Sequence, residues 1–430
     1  MGTHHRTFPF SLTGVALRYT RLATAVTAVA ALTALAGCSS SSAGDGPATL
    51  EFVISGDQNG AYQALADRYF EETGVTVEIV DVPYDDLTTR LRNGAQAGDL
   101  PALARTAGLD PLWEDAAMEL GDIAEAHDIM DELIVEGPEG QVLTLPSDLT
   151  AVGLYINKSL FDEAGVSYPT DESDIWTWDE YLAALTEVVE NTDAQYGMVM
   201  DGSVHRLRSM LYQFGSNGDY YQEDGEFVMG EGTEEALQTF SDINDDKMMP
   251  RSVWLSGDDA SALFQSGRIA AYYSGVWQIS SFNESITAFD WLPVYMPYET
   301  ERATNIGTNW IVGFEGTGVE EETQDFIDWM YTAENYAQLS ADASFLPVIE
   351  GLEVPYEQNA EYLDLYNHEI AAANELSFLQ TRSMVEFAYD GVALDSEPLT
   401  TEIPAFLNGE QSLDDTITAV ESGMDALVNG

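Results

Sequence analysis

Gly153-Leu154-Tyr155-Ile156-Asn157-Lys158-Ser159-Leu160-Phe161-Asp162-Glu163-Ala164-Gly165 joins a strand to a helix within a few residues. The run 151–156 is apolar and unbroken, as in a buried strand. Residues 158–164 then read as a short helix that Gly165 stops, because glycine reaches the left-handed backbone of a helix end without steric cost. Just upstream, Val142-Leu143-Thr144-Leu145-Pro146 reads as a further strand. Downstream, Thr177-Trp178-Asp179-Glu180 fits a capping box, in which the threonine hydroxyl and the glutamate carboxylate each satisfy an orphan amide. Trp178, Leu182, Leu185 and Val189 mark one face of the helix it starts.

The same alternation extends outward in both directions. Residues 49–54 are strand-like, the breaker-rich 55–60 follows, and Tyr62, Leu65, Ala66, Tyr69 and Phe70 recur at helical spacing before Val75, Val77 and Ile79 alternate as a strand does. A crossover of this length joins parallel neighbours in a sheet covered by helices, which makes the chain α/β. Phe326, Ile327, Met330 and Tyr331 form a helical stripe, and so do Ile417, Val420, Met424, Leu427 and Val428. Both read as core contacts. There is no tandem repeat and no coiled-coil pattern.

The N-terminus carries a different message. Arg6, Arg18 and Arg21 precede an uncharged, small-residue run over 22–36, the layout of an export signal and too short for a stable span of roughly 20 residues. The run ends in Leu35-Ala36-Gly37-Cys38, and Cys38 is the sole cysteine of the 430 residues. Ser39-Ser40-Ser41-Ser42-Ala43-Gly44 after it offers no core to bury a thiol and reads as a flexible tether. Residues 1–37 are therefore expected to be a signal peptide and 38–48 a tether. With no second cysteine an intrachain disulfide is impossible, so stability must come from the core. The remaining length of about 390 residues exceeds the size at which single cores split, which predicts two domains. Acidic residues number 75 against 15 basic ones, a net charge of −60. Such a surface repels nucleic acid and anionic lipid, which makes both poor partners. Two explanations fit: adaptation to high salt, favoured because the acids are spread along the whole chain and lysine is nearly absent, and a cationic ligand.

Several separate motifs resemble the bacterial extracellular solute-binding proteins of the family 1 type, which includes the maltose- and oligosaccharide-binding proteins of ABC importers. They are Gly56-Asp57, Gly98-Asp99-Leu100-Pro101-Ala102-Leu103, Leu145-Pro146 with the 153–165 stretch, Pro169, the 177–180 box, Tyr212-Gln213-Phe214-Gly215, Phe264-Gln265-Ser266-Gly267-Arg268-Ile269-Ala270 with Ser274-Gly275-Val276-Trp277, and Phe345-Leu346-Pro347-Val348. Leu35-Ala36-Gly37-Cys38 likewise resembles a lipobox, which implies diacylglycerol on Cys38 and cleavage before it. One departure is Pro101-Ala102 where the family commonly has Pro-Asp, so that a ligand contact shifts to Arg105 or is lost. The resemblance implies two α/β lobes of the type II periplasmic-binding-protein fold, with the chain crossing near 146–148, 293–297 and 345–348. Lobe 1 is then 49–146 plus 296–345, and lobe 2 is 147–295 plus 346–430. A ligand would lie in the cleft between them, and the protein would be an extracytoplasmic, lipid-anchored monomer that delivers a sugar to membrane permease subunits.

A pyranose has an apolar C–H face and a rim of hydroxyls, so its site needs an aromatic plate and groups that exchange hydrogen bonds. Candidates in the loops that the family uses are Asp57, Gln58, Arg105, Asp148, Gln213, Trp254, Trp277, Asn309, Trp310 and Arg382. Several have a second reading. Trp254, Trp277 and Trp310 can be lobe core, Asp148 a turn carboxylate, Asp57 a helix cap and Arg105 a surface ion pair. Trp176 and Trp178 read as packing residues. Catalysis has little support: His4, His5, His127, His205 and His368 show no metal-ligand spacing, and there is no nucleotide-binding phosphate loop or nucleophile elbow. No cofactor or metal is expected. A polyamine receptor and an exported glycoside-active enzyme remain the alternatives.

Overall fold

The computed structural model describes residues 48–57, 60–356, 358–394 and 396–430. Cys38, the export segment, the tether to residue 47 and the candidate Gln58 lie outside the described residues. In chain order the strands are β1 (Thr49–Ile54), β2 (Thr76–Asp81), β3 (Leu103–Thr106), β4 (Leu145–Asn157), β5 (Tyr196–Met200), β6 (Gln222–Glu223), β7 (Glu226–Phe227), β8 (Ile269–Gly275), β9 (Trp291–Val294) and β10 (Ile306–Gly313). The main sheet runs β2-β1-β3-β10-β4-β8-β5, with β9 also on β4, while β6 and β7 pair only with each other.

The expected strand, helix, strand opening is present. The helix Ala61–Thr73 buries Tyr62, Leu65, Ala66 and Tyr69, then returns the chain to β2, parallel to β1. β3 joins the other side of β1, also parallel, after the helix Tyr84–Ala97. β4 is the spine of the molecule. Its first half pairs antiparallel with β10, and its second half pairs antiparallel with β8 and β9. Of the strand expected at 142–146 only Leu145 and Pro146 are strand, and they are continuous with the one expected at 151–156, because Pro146 falls beside a bulge where the ladder needs no amide hydrogen; residues 142–144 lie outside it.

The helix Lys158–Ala164 ends at Gly165 with φ 72°, as its sequence requires. The capping box is complete: Thr177 N–H donates to Glu180 Oε2 at 2.9 Å, and Glu180 N–H donates to Thr177 Oγ1 at 3.2 Å. The helix Trp178–Asn191 buries Trp178, Tyr181, Leu185 and Val188, leaving Leu182 and Val189 only half-buried. Tyr181 prevails there because its ring packs on both Trp176 and Trp178. At the C-terminus Val420 and Met424 are buried as expected, but Leu427 is exposed. The helix Leu379–Tyr389 bridges two cores: Val385 and Ala388 pack with Val53, Ala104 and Trp310, while Phe387 stacks on Tyr220 at 6.1 Å.

Candidate functional site

The site starts from an irregularity in β4. Asn309 lies opposite Asp148 and Trp310 opposite Pro146, so Ser147 is the extra residue of a β-bulge. Successive strand side chains normally point to opposite faces, and a bulge suspends that rule. Both Ser147 and Asp148 consequently reach the same guanidinium, that of Arg105 on β3. Its Nε donates to Ser147 Oγ at 3.0 Å, its Nη2 to Asp148 Oδ1 at 2.8 Å and its Nη1 to the Ser55 carbonyl at 3.1 Å. Asn309 Nδ2 lies 3.4 Å from both Asp148 oxygens. The carbonyls at the bulge are taken up by tyrosines: Tyr331 OH donates to Pro146 O and Tyr336 OH to Ser147 O, each at 2.8 Å. Arg105 is 9 % exposed and Asp148 2 %. Burial works against the Arg105 charge, but the Asp148 carboxylate outweighs it and holds the guanidinium above its ordinary value. Burial also pushes the Tyr62 hydroxyl up to about 12, with Arg105 acting in the opposite sense.

The facing wall comes from β8 and the helix Val204–Gln213. Trp277, half-buried, follows Gly275, where a Cβ would stand only 2.0 Å from the indole Cη2. The missing side chain is what lets the ring fold back onto the strand. The Arg206 guanidinium carbon lies 4.3 Å from the centroid of that ring. Arg206 is held by Asp201, Nη2 to Oδ2 at 2.8 Å, and Asp201 in turn accepts hydrogen bonds from the Tyr272 and Ser274 hydroxyls. His205 Nδ1 sits 3.1 Å from Gln380 Oε1 and 3.4 Å from Arg208 Nη1. Burial, reinforced by the Arg208 charge, pushes His205 down to about 4, so it is neutral at pH 7. Arg208 itself is fully buried between Asp219 and Glu397.

Between these walls lies a cavity of about 600 Å³. Of the residues expected from sequence, it brings together Arg105, Asp148, Trp277 and Asn309. The others lie elsewhere. Asp57 accepts from the Tyr62 and Gln63 amides, so it caps a helix. Gln213 is buried, taking the Trp178 indole N–H at 3.0 Å and donating to the Ala303 carbonyl at 2.9 Å. Trp254 packs edge-on against Phe240 at 4.9 Å. Trp310, next to Asn309, points to the other face of β10 and into the core. Arg382 pairs with Glu386 and is two residues from Gln380, which on a helix is the opposite side.

Tyr84, His205, Arg206, Asn305 and Gln380 also line the cavity and were not among the candidates. Asn305 was within reach of sequence reasoning, since a period of two carries the Asn309 face back through Gly307 to Asn305. Its Oδ1 is buried without a protein partner. Among the described residues, no group of three or more His, Cys, Asp or Glu could hold a metal ion.

Comparison with known proteins agrees with this architecture. A family model described as bacterial extracellular solute-binding protein matches residues 64–362. A binding protein of Brucella abortus is 23 % identical over 311 residues, covering 67 % of this chain and 74 % of its own. The lactose-binding protein of Rhizobium radiobacter is 26 % identical over 321 residues, covering 70 % of this chain and 74 % of its own. Among solved structures, the GacH receptor of Streptomyces glaucescens, determined unliganded and with acarbose, superposes with a TM-score of 0.74 at 20 % identity, covering 89 % of this chain and 99 % of that one. The shared fold is the two-lobed α/β arrangement expected from the sequence, with discontinuous lobes about a central cleft. The chain belongs to the bacterial extracellular solute-binding proteins.

Proposed function

We propose that the protein captures a sugar or oligosaccharide in the cavity between Arg105–Asp148 and Trp277, and hands it to an ABC permease from the outer face of the cytoplasmic membrane, tethered by lipid on Cys38. The observation that carries this reading is the pairing of a half-buried indole with a facing group of fixed donors and acceptors, Arg105, Asp148 and Asn309, around one cavity. A pyranose offers matching faces: C–H groups for Trp277 and hydroxyls for the polar wall. Arg206 shares the ring with the sugar or yields to it. The lactose-binding relative and the acarbose-bound neighbour support a carbohydrate ligand.

The cavity speaks against a polyamine. Asp148 is the one carboxylate among its described lining residues, and Arg105 already neutralises it. The acidity then belongs to the surface and to salt adaptation. Binding proceeds without chemistry: lobe 1 (49–146, 296–345) and lobe 2 (147–295, 346–430) sample closure, and contacts to both favour the closed form. Among the described residues no helix is long and apolar enough to cross a membrane.

Calorimetric titration with neutral sugars at high salt tests the reading, with polyamines run in parallel. Saturable sugar binding without product formation is expected. Trp277→Ala should weaken it about tenfold or more, the loss of one aromatic contact of 1–2 kcal/mol; unchanged affinity in that variant removes Trp277 from the site. Mass spectrometry of membrane-extracted protein tests Cys38, whose replacement by alanine should release the protein.

A further inference from the structure

The cavity does not end at its own wall. A second chamber of about 330 Å³ opens beyond it, and Ala107 and Met384 line both. One helix face runs past the junction. Tyr84 lines the first chamber, Thr88 and Arg92 line the second, and the spacing i, i+4, i+8 puts all three on one stripe of the helix Tyr84–Ala97, spanning about 12 Å at 1.5 Å per residue. Tyr84 is 57 % exposed, an aromatic presented to solvent at the mouth of a polar groove. The floor of the second chamber is fixed. Asp110, 5 % exposed, holds Arg92 Nη2 at 2.7 Å and accepts the Leu112 amide at 2.9 Å. Trp113, 2 % exposed, forms part of the wall, and its indole N–H has no acceptor within the protein.

We infer that the bound ligand passes Met384 and that Thr88, Arg92, Asp110 and Trp113 form an outer subsite, which makes the protein selective for oligosaccharides that fill both chambers over shorter sugars. The inference rests on the carbohydrate reading of the inner cavity. Arg92 and Asp110 add donors and acceptors that a short sugar never reaches, and Met384, an unbranched side chain that fits irregular gaps, sets how wide the passage is.

The probes are glucose and galactose oligosaccharides from monosaccharide to hexasaccharide, titrated into the whole protein at high salt. In at least one series affinity should rise about tenfold once the chain is too long for the inner chamber, the value of one good charged hydrogen bond. Thr89→Trp and Ala393→Trp, at two other lining positions, narrow the second chamber, and each should abolish that rise while leaving the short members of the series unchanged. Ala393 lies in an exposed loop, so its variant folds even if the helix resists the bulkier Thr89 replacement. A short sugar that binds with no length dependence, or a rise that survives both blocks, overturns the outer subsite alone. A protein that binds no member of either series overturns the carbohydrate reading and the subsite with it.

Discussion

Gly275 and Trp277 behave as one unit. A methyl group at 275 would lie 2.0 Å from Cη2 and 2.1 Å from Cζ3 of a rigid indole, so the ring has to leave its place. Gly275→Ala is expected to cost as much ligand affinity as Trp277→Ala while the fold persists, with the displaced indole visible as a shift in tryptophan fluorescence. His205 sets a pH dependence of stability. Its folded value of about 4 lies below the ordinary value near 6.5, so between the two the unfolded chain holds the extra proton. Stability then falls as pH drops through that window, by up to about 1.4 kcal/mol per unit, and is unaffected by this group above it. For Glu397, burial raises the carboxyl and Arg208 more than offsets it, keeping it below its usual range; its contribution is likewise lost on acidification. Urea denaturation between about pH 7 and pH 5 should show the slope, and His205→Gln should flatten it.

At the scale of elements, the bulge in β4 depends on the two helices behind it. Tyr331 on Glu320–Tyr331 and Tyr336 on Ala333–Ala343 stack at 5.3 Å and cap the carbonyls of Pro146 and Ser147. Removing either hydroxyl takes a hydrogen bond from a carbonyl of the buried bulge, at a cost of about 0.5–1.5 kcal/mol. Tyr331→Phe and Tyr336→Phe should each lower the melting temperature, and the double variant should also weaken ligand binding, because the bulge aims Ser147 and Asp148 at Arg105. Strand and helix identities were legible from periodicity and caps, as at 49–54, 158–165 and 177–180. The bulge was not, because it depends on register with β10, far along the chain. The same gap explains the site. Arg105 and Trp277 sit at or just past strand ends, and Asp148 and Asn309 face each other at the bulge, where the sheet meets the cavity. Gln213, by contrast, lies two helical turns beyond Arg206, about 10 Å further on, where the helix has already entered the core. Which end of a helix meets the cleft is decided by packing against Trp178 and not by local sequence.

The whole molecule carries its net charge of −60 on a fold whose basic side chains are largely committed. Arg105 and Arg208 are locked in buried pairs, and Arg92 and Arg206 each hold an aspartate. Little cationic surface remains to balance the acids. Self-repulsion should therefore lower stability in dilute buffer, and added salt should restore it as the Debye length shrinks to about 3 Å near 1 M. Thermal melting across a potassium chloride series is expected to rise steeply with salt; a flat profile would mean that the charges are locally compensated.

The central strand has a consequence for time as well as shape. β10, at 306–313, lies between β3 and β4, so the first half of the sheet cannot close until about three quarters of the chain has been made. Pairings of such long sequence separation form slowly. During synthesis β1, β2 and β3 can pair among themselves, but the free edge of β3 and the first half of β4 have no partner between them until β10 is added. The order of the strands thus makes the insertion of β10 a late step, and only after it is the first half of the sheet complete.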